Sequence, residues 1–479
     1  MVSRLFYLTQ LKHTSNMNKK SFILCLAMMI LPLQASAEDF IVNGIYYNIT
    51  SSADHTVEVT YKGDYYDSYY DEYSGSITIP ATVTYDGVAY SVTSIGDGAF
   101  WDCSSLTTIT IPEGVTSIGM FAFQYCSSLT SITIPEGVTS IGSSAFWGCS
   151  SLTAINIPEG VTSIGDAAFW DCSSLTAITI PASVTSIGDG AFYECSSLTT
   201  ITIPEGVTSI GDEAFRDCSS LTAITLPEGV TSIGSGAFYE CSRLTSINIP
   251  EGVTSIGGSA FANCTRLTSI TIPEGVTSIG NYAFYGCSSL TTITLPESVK
   301  SIGDYAFRNC RSLTGITLPE GITSIGNGVF KDCRSLIAIT LPEEVTSIGE
   351  SAFESCISLT GITIPEGVTS LGGNALSACT SLTYIVCLAG TPPEINYNAF
   401  DLVDTSIPLY VPAGSVEAYK KSTYWDMFNI TIGIEAGIDK SQLTTGSEQL
   451  TIYDLRGRRV TDTEKGGIYI VGGKKVIIK

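Results

Sequence analysis

The sequence predicts a solenoid: short coils, mostly β, stacked through a parallel sheet and closed at each end by a small β-rich module. Three observations predict it. Cysteine falls at 103, 126, 149, 172, 195, 218, 241, 264, 287, 310, 333, 356 and 379, always 23 residues apart. Phenylalanine stands three residues before each of these from Phe100 to Phe353, until Leu376 takes its place. Between them an L-x-x-I-x-I-P pattern recurs at the same interval. A fixed period of roughly 20–50 residues marks a repeat architecture in which each unit packs on its neighbours.

One unit, Leu129 to Ser151, reads LTSITIPEGVTSIGSSAFWGCSS. Ile132 and Ile134 alternate with Thr133, which gives a short strand with one face inward. Pro135 has no N–H for the ladder and ends the strand. Gly137 permits a turn. Val138 and Ile141 point inward again, and Gly142 turns the chain a second time. The next residue is Asp, Ser or Asn in nine of the thirteen units, which suits the N-cap of one helical turn over x-A-F. On such a turn Phe146 and Cys149 would share the inner face. A single coil cannot stand alone. Its six large apolar side chains recover less free energy than ordering 23 backbones costs, so coils must stack and share faces. At ~4.8 Å per strand, thirteen coils would extend ~60 Å.

From the N-terminus, Met1 to Ala37 reads as an export signal. Lys19 and Lys20 precede the apolar run Phe22 to Leu33, and Ala35-Ser36-Ala37 fits a small-residue cleavage site. The run is too short to span a bilayer, and Met17 offers an alternative start. Residues 38–93 form a β cap with strands at Ile45–Ile49, Val57–Tyr61 and Ser76–Pro80. The last resembles the repeat strand, but the link Ala81 to Val92 is longer than usual. Within the cap, YKGDYYDSYYDEY offers Asp64, Asp67, Asp71 and Glu72 as hard oxygens. Their spacing does not match a helix-loop-helix calcium site, and a solvated hairpin tip accounts for the composition.

The array, 94–387, carries three informative columns. Cys atoms on neighbouring coils would sit ~4.8 Å apart, whereas a disulfide needs Cβ atoms ~3.8 Å apart. The column therefore reads as buried free thiols acting as small hydrophobes, and Cys387 as a packing residue. Glu113, Glu136, Glu159, Glu205, Glu228, Glu251, Glu274, Glu297, Glu320, Glu343 and Glu366 each follow the strand-ending proline, with Ala182 the exception. Stacked like charges must splay into water. The third column follows each Phe: Trp101, Gln124, Trp147, Trp170, Tyr193, Arg216, Tyr239, Ala262, Tyr285, Arg308, Lys331, Glu354 and Ser377. A position that takes Arg, Lys and Glu beside Trp should be at least partly exposed. Aromatic residues and Arg are enriched at binding hot spots, so Trp101, Trp147, Trp170, Tyr193, Arg216, Tyr239, Tyr285 and Arg308 are candidate ligand-binding residues. The alternative is that these aromatics lie flat over the turns and shield the core.

Beyond the array, 388–432 reads as a C-terminal cap: Leu409–Pro412 as a strand, Ser415 to Lys421 as a short helix capped by Ser415, and Trp425 and Phe428 as cover for the last coil. Gly433 to Gln449 reads as a linker. Strand patterns follow around Leu450–Tyr453, Gly467–Val471 and Lys474–Ile478. From Gly433 onward there are eight Lys and Arg against six Asp and Glu, in a chain of formal charge −23. Such a shift marks 433–479 as a linker and a separate β module.

Composition excludes some functions. A charge of −23 argues against nucleic acid, which demands a basic stripe, and against anionic membrane surfaces. The two histidines, His13 and His55, leave little for a Ser-His-Asp or Cys-His site. A glycosidase needs one special carboxylate pair, and these Glu residues are copies. No enzyme activity, metal or cofactor is expected.

The motif L-x-x-I-x-I-P-x-x-V-x-x-I-G-x-x-A-F-x-x-C resembles the BspA-like leucine-rich repeats of bacterial surface proteins, over about 94–387. The resemblance implies a leucine-rich repeat solenoid of α/β-type coils, and adhesion or host-protein binding. Where commoner leucine-rich repeats carry Asn after the strand, this chain has Gly, so the Cys column should fill a comparable buried place. The C-terminal end, YDLRGRRV followed by KGGIYIVGGKKVIIK, resembles a type IX secretion sorting domain at Gly457, Arg458, Val460, Gly467, Tyr469, Val471, Gly473, Lys475, Val476 and Lys479. That likeness implies export through the outer membrane of a Gram-negative bacterium, by way of its secretion machinery. The expectation is a secreted or surface-attached monomer that binds an extracellular protein or glycan. The rival expectation is a structural spacer without a specific ligand.

Overall fold

In a computed structural model the described residues are 38–63, 71–438, 452–453, 459–460, 468–471 and 474–478. The expected export signal, Asp64 and Asp67 lie outside them, as do most of the expected linker and Gly457, Arg458, Gly467, Gly473 and Lys479. Val460, Tyr469, Val471, Lys475 and Val476 fall on described strands, Arg459–Val460, Ile468–Val471 and Lys474–Ile478. The chain is a parallel β-solenoid of about fifteen turns with little helix. It divides into two compact units, Met1–Ser219 and Ser220–Lys479.

Each coil contributes one strand in its first half, of three residues in most coils, such as Ser131–Thr133 and Ala154–Asn156. Neighbouring strands pair parallel and in register, Ile132 beside Ile155 and Thr133 beside Asn156. The alternation predicted from sequence is observed: Ile132 is buried while Ser131 and Thr133 face water. Thr suits such strands because its branched side chain packs on a pleat. In the adjoining column its hydroxyl also bonds the previous coil, as Thr130 Oγ1 does to Thr107 O at 3.4 Å. A second short strand, Ser140–Ile141 and its equivalents, builds a second parallel ladder at the V-T-S-I positions. The sequence reading placed Val138 and Ile141 inward but did not foresee this ladder.

The third stretch of each coil corrects an expectation. No helical turn covers x-A-F. Two residues per coil hold left-handed backbone, such as Ser144 (φ 58°) and Gly148 (φ 74°), and these break any right-handed helix. Alternate N–H groups reach along the stack, Phe146 N to Ala168 O at 2.9 Å, while the others bond three residues back, Cys149 N to Phe146 O at 3.1 Å. The Asp/Asn column is likewise no N-cap. Asp304 Oδ1 accepts from Asn327 N of the following coil at 2.7 Å, and Asn327 Oδ1 from Glu350 N at 2.9 Å.

This backbone aims Phe and Cys inward together. Within the first unit the Phe rings stack from Phe100 to Phe215, Phe146 on Phe169 at 5.5 Å and 1°. Within the second they stack from Phe238 to Phe353, Phe261 on Phe284 at 5.5 Å. The thirteen column thiols and Cys387 are all buried and free. The comparable buried place is real, because the thiols make coil-to-coil bonds. Cys149 Sγ donates to Phe123 O at 3.1 Å, and Cys264 Sγ to Phe238 O at 3.2 Å. Burial pushes these thiols up, Cys287 to about 12, so the nucleophilic thiolate is suppressed. A water-soluble thiol reagent is therefore expected to leave all fourteen described cysteines untouched in the folded chain and to label them in denaturant. Mass spectrometry of the labelled protein checks this.

Both ends are capped as atypical coils. Gly75–Thr78 pairs parallel with Leu106–Thr110 and so begins the first ladder. Thr82–Tyr85 and Val88–Ile95 form a hairpin through Asp86 and Gly87, both left-handed, and Val88–Ile95 lies in the second ladder between Thr56–Thr60 and Ser117–Ile118, parallel to both. That hairpin occupies what the sequence reading took as a long link. Tyr73 lies against Phe100 at 4.7 Å and ends the ring column, its hydroxyl donating to Thr60 O. At the other end Phe400 meets Trp425 and Phe428 edge-on at 5.3 and 4.9 Å, the covering role expected of them. Ser415 precedes the helix Val416–Lys420 but does not cap it; its Oγ donates to Gly390 O at 2.6 Å. A strand spans Asn429–Ile438, past the expected boundary at 432, and pairs with Pro408–Pro412 and Lys474–Ile478.

The first turn carries a pH-sensitive pair. Asp71 accepts from Ser104 Oγ and from Ser105 N and Oγ. Asp102 is pushed up to about 6 by burial and by the charge of Asp71. Its folded value exceeds the ordinary 3.8, so the folded chain takes up this proton first as pH falls. The contribution of Asp102 to stability should rise as pH falls from about 7 to about 4 and then level off. Asp102→Asn, which tolerates the same backbone, is expected to flatten that part of the Tm-versus-pH curve.

Candidate functional site

The candidate residues all follow a ladder Phe, so alternation turns them away from the Phe and Cys core. The expectation that this column stands at least partly in water fails in much of the first unit. Trp147, Trp170, Tyr193 and Arg216 are 4, 5, 1 and 6 % exposed. The cause is stacking across coils. Trp170 lies flat on Trp147 at 4.6 Å and Tyr193 lies on Trp170 at 4.5 Å, with Tyr125 packed alongside. Trp101 is half-buried and donates from Nε1 to Gln124 Oε1 at 2.8 Å. Arg216 sits 5.1 Å over the Tyr193 ring and pairs with Glu213 and Asp217 at 3.1 and 3.3 Å. A buried cation next to two carboxylates is a structural clamp. In this unit the shielding alternative describes what the residues do.

The second unit differs. Tyr239, Tyr285, Arg308, Lys331 and Glu354 are half-buried rather than buried. Arg308 lies 5.7 Å from the ring centres of both Tyr285 and Tyr305. Tyr305 stacks on Tyr282 at 5.0 Å and 13°, and Tyr282 is 39 % exposed. Tyr282 and Tyr305 stand at left-handed positions, φ 58° and 59°, where other coils often place Gly or Ser. Gly328 gives the Tyr305 ring its seat: a Cβ there would collide with the ring edge. One coil further on, Lys331 Nζ donates to Glu354 at 2.7 Å. Burial works against the Glu354 charge, but the Lys331 bond, helped by Ser351 and Arg308, holds its carboxyl below the ordinary range.

The sequence reading singled out Tyr285 and Arg308 but missed Tyr282 and Tyr305. Their signal was present: two successive coils read N-Y-A-F and D-Y-A-F where most others, Phe121 and Glu213 apart, carry small residues. The Glu column from Glu113 to Glu366 is exposed throughout, as expected. His55, the described histidine, lies in the cap with its ring edge on Tyr90 at 5.7 Å. Among the described residues, no group of three or more His, Cys, Asp or Glu is placed to hold a metal ion, and no helix is long and apolar enough to cross a membrane.

Comparison with known proteins bears on this geometry. A model of the BspA-type leucine-rich repeat region matches residues 65–198, 162–291 and 277–405. A leucine-rich repeat protein from Bacteroides ovatus, solved by crystallography, is 34 % identical with a TM-score of 0.70, covering 82 % of this chain and 98 % of its own. A leucine-rich cell surface protein from Faecalibacterium prausnitzii is 33 % identical with a TM-score of 0.47, covering 78 % of this chain and 100 % of its own. No curated protein matches the chain. The matched repeats coincide with the coils just described, and the chain belongs to the BspA-type leucine-rich repeat family.

Proposed function

We propose that this is a non-catalytic binding protein of the outer cell surface, or a secreted one, of a Gram-negative bacterium. It presents the turn face of its second unit to an extracellular protein or glycan. Export would rest on residues 1–37 and on the C-terminal module around Gly457–Lys479. One observation carries the reading: a regular coil holds the post-Phe column rigid, and only in the second unit does that column keep Tyr and Arg side chains within reach of solvent. Rigid aromatic and Arg groups provide contact area at low entropic cost. The burial of Trp147, Trp170 and Tyr193 favours a spacer role for the first unit alone.

The test is capture of extracellular-matrix proteins and arrayed glycans by the full chain. Tyr282→Ala/Arg308→Ala should lose capture, while a surface change in the first unit, Thr153→Ala, should retain it. Equal capture by both variants would refute the assignment of the face.

A further inference from the structure

We infer that the cluster of Tyr282, Tyr285, Tyr305 and Arg308 is a subsite for an acidic oligosaccharide, one whose sugar rings carry carboxylate or sulfate groups. This rests on the binding function proposed above and names its ligand class.

The two arginines of the post-Phe column carry the argument by contrast. Arg216 is buried and its charge is met by Glu213 and Asp217. Arg308 has the same position in its own coil and the same contact with a Tyr ring, but no carboxylate within ion-pair distance: Glu354 feels its charge only at longer range and is bonded to Lys331. Among the described residues nothing accepts a hydrogen bond from its guanidinium, and its Nε is buried without a partner. The Tyr285 and Tyr305 rings flank the guanidinium, each centroid 5.7 Å from its Cζ. A planar fork flanked in this way suits bidentate recognition of an oxyanion.

The surrounding charge agrees. Arg308, Arg311, Lys331 and Arg334 occupy two successive coils of an otherwise acidic chain. The neighbouring carboxylates are already engaged: Glu354 by Lys331, Asp332 by Arg334, and Asp304 by the backbone N–H and side-chain amide of Asn327. Arg308 and the exposed Arg311 form no ion pair with a carboxylate among the described residues. Beside them Tyr282, stacked on Tyr305, offers an exposed ring. The hydroxyls of Tyr282, Tyr285 and Tyr305 have no hydrogen-bond partner among the described residues. An exposed ring packs against the apolar face of a sugar, phenol hydroxyls bond its alcohols, and the guanidinium takes its acid group.

The test uses calorimetry of the full chain with three hexasaccharides: one from heparin, bearing sulfates; one from hyaluronan, bearing carboxylates alone; and neutral cellohexaose. At least one acidic hexasaccharide should bind, more weakly as salt rises, and cellohexaose should not. Arg308→Ala and Tyr282→Ala should each weaken binding by at least about tenfold. Arg308→Lys should restore only part, since it keeps the charge but loses the planar fork. Arg243→Ala, a cation elsewhere on the same unit, should change nothing. Unchanged thermal midpoints will show that the variants fold. Binding to neither acidic sugar, or equal binding by Arg308→Ala, overturns the inference. If acidic sugars fail while a matrix protein is still captured, this ligand class is wrong and the binding function stands. If nothing is captured, both are wrong.

Discussion

Phe261→Ala is expected to lower the stability of the second unit by about 3–5 kcal/mol, the cost of removing a buried aromatic ring from a site that cannot collapse. The site cannot collapse because the rings on either side are held by their own coils. Phe261 is fully buried, with Phe238 and Phe284 each 5.5 Å away. Shrinking it empties two interfaces at once. In a stack whose stability is a sum of neighbour contacts, a lost interface also uncouples the coils on either side. Denaturant unfolding should show a lower midpoint, and a broadened or split transition in place of a single one. The conservative change Phe353→Leu should cost far less, because Leu376 already fills the next position of that column in the native chain. A loss under about 1 kcal/mol for Phe261→Ala would mean that the ring column is not a continuous core.

Gly257→Ala is expected to be comparably damaging although it adds one methyl group. The new Cβ would lie 2.6 Å from Gly234 C and O and 2.7 Å from Ser235 N. All three are backbone atoms of the coil beneath, so no side chain can swing aside. The coils must part locally, and overpacking of this kind costs about 1–3 kcal/mol or more. The equivalent glycine recurs in every coil, and Gly280 and Gly303 show the same approach, to the backbone N of Gly258 and of Asn281. Gly315→Ala supplies the contrast. No atom lies within 4 Å of its added Cβ, and Ala154, Ala177 and Ala223 occupy the same column. That change should be neutral, or stabilise by about 0.5–1 kcal/mol through reduced backbone freedom. Paired thermal melts of the two variants test both signs.

These expectations trace back to features the sequence shows to different degrees. The strand, the strand-ending proline and the inward Phe and Cys were legible because period and polarity agree at every coil. The second ladder was not, since two-residue strands such as Ser140–Ile141 carry no alternation of their own. The third stretch was misread as a helical turn because A-F-x-x-C has helical spacing. The counter-signal lay one residue before each Cys, where Asp102, Asp171, Asp217, Asn263, Asn309 and Asp332 hold positive φ. Asp and Asn tolerate that region better than most residues.

The candidate site was half legible for a similar reason. A column containing Trp, Arg and Glu looks solvent-facing when each residue is taken alone. Burial of Trp147 and Trp170 arises from ring stacking between coils, a property of pairs 23 residues apart. The distinction between Arg216 and Arg308 likewise depends on Glu213, one turn away, against Tyr305 at the equivalent position. Residue type in one column could not separate a neutralised cation from an available one.

Removing whole coils tests most directly whether stacking alone makes each turn stable. Chains lacking residues 257–279, and then one and two further complete periods, should remain folded. Each deletion should lower the unfolding free energy by a similar step, measured in denaturant with circular dichroism. Unfolding of the whole chain on loss of the first period, or a free energy indifferent to the number of coils, would contradict the account.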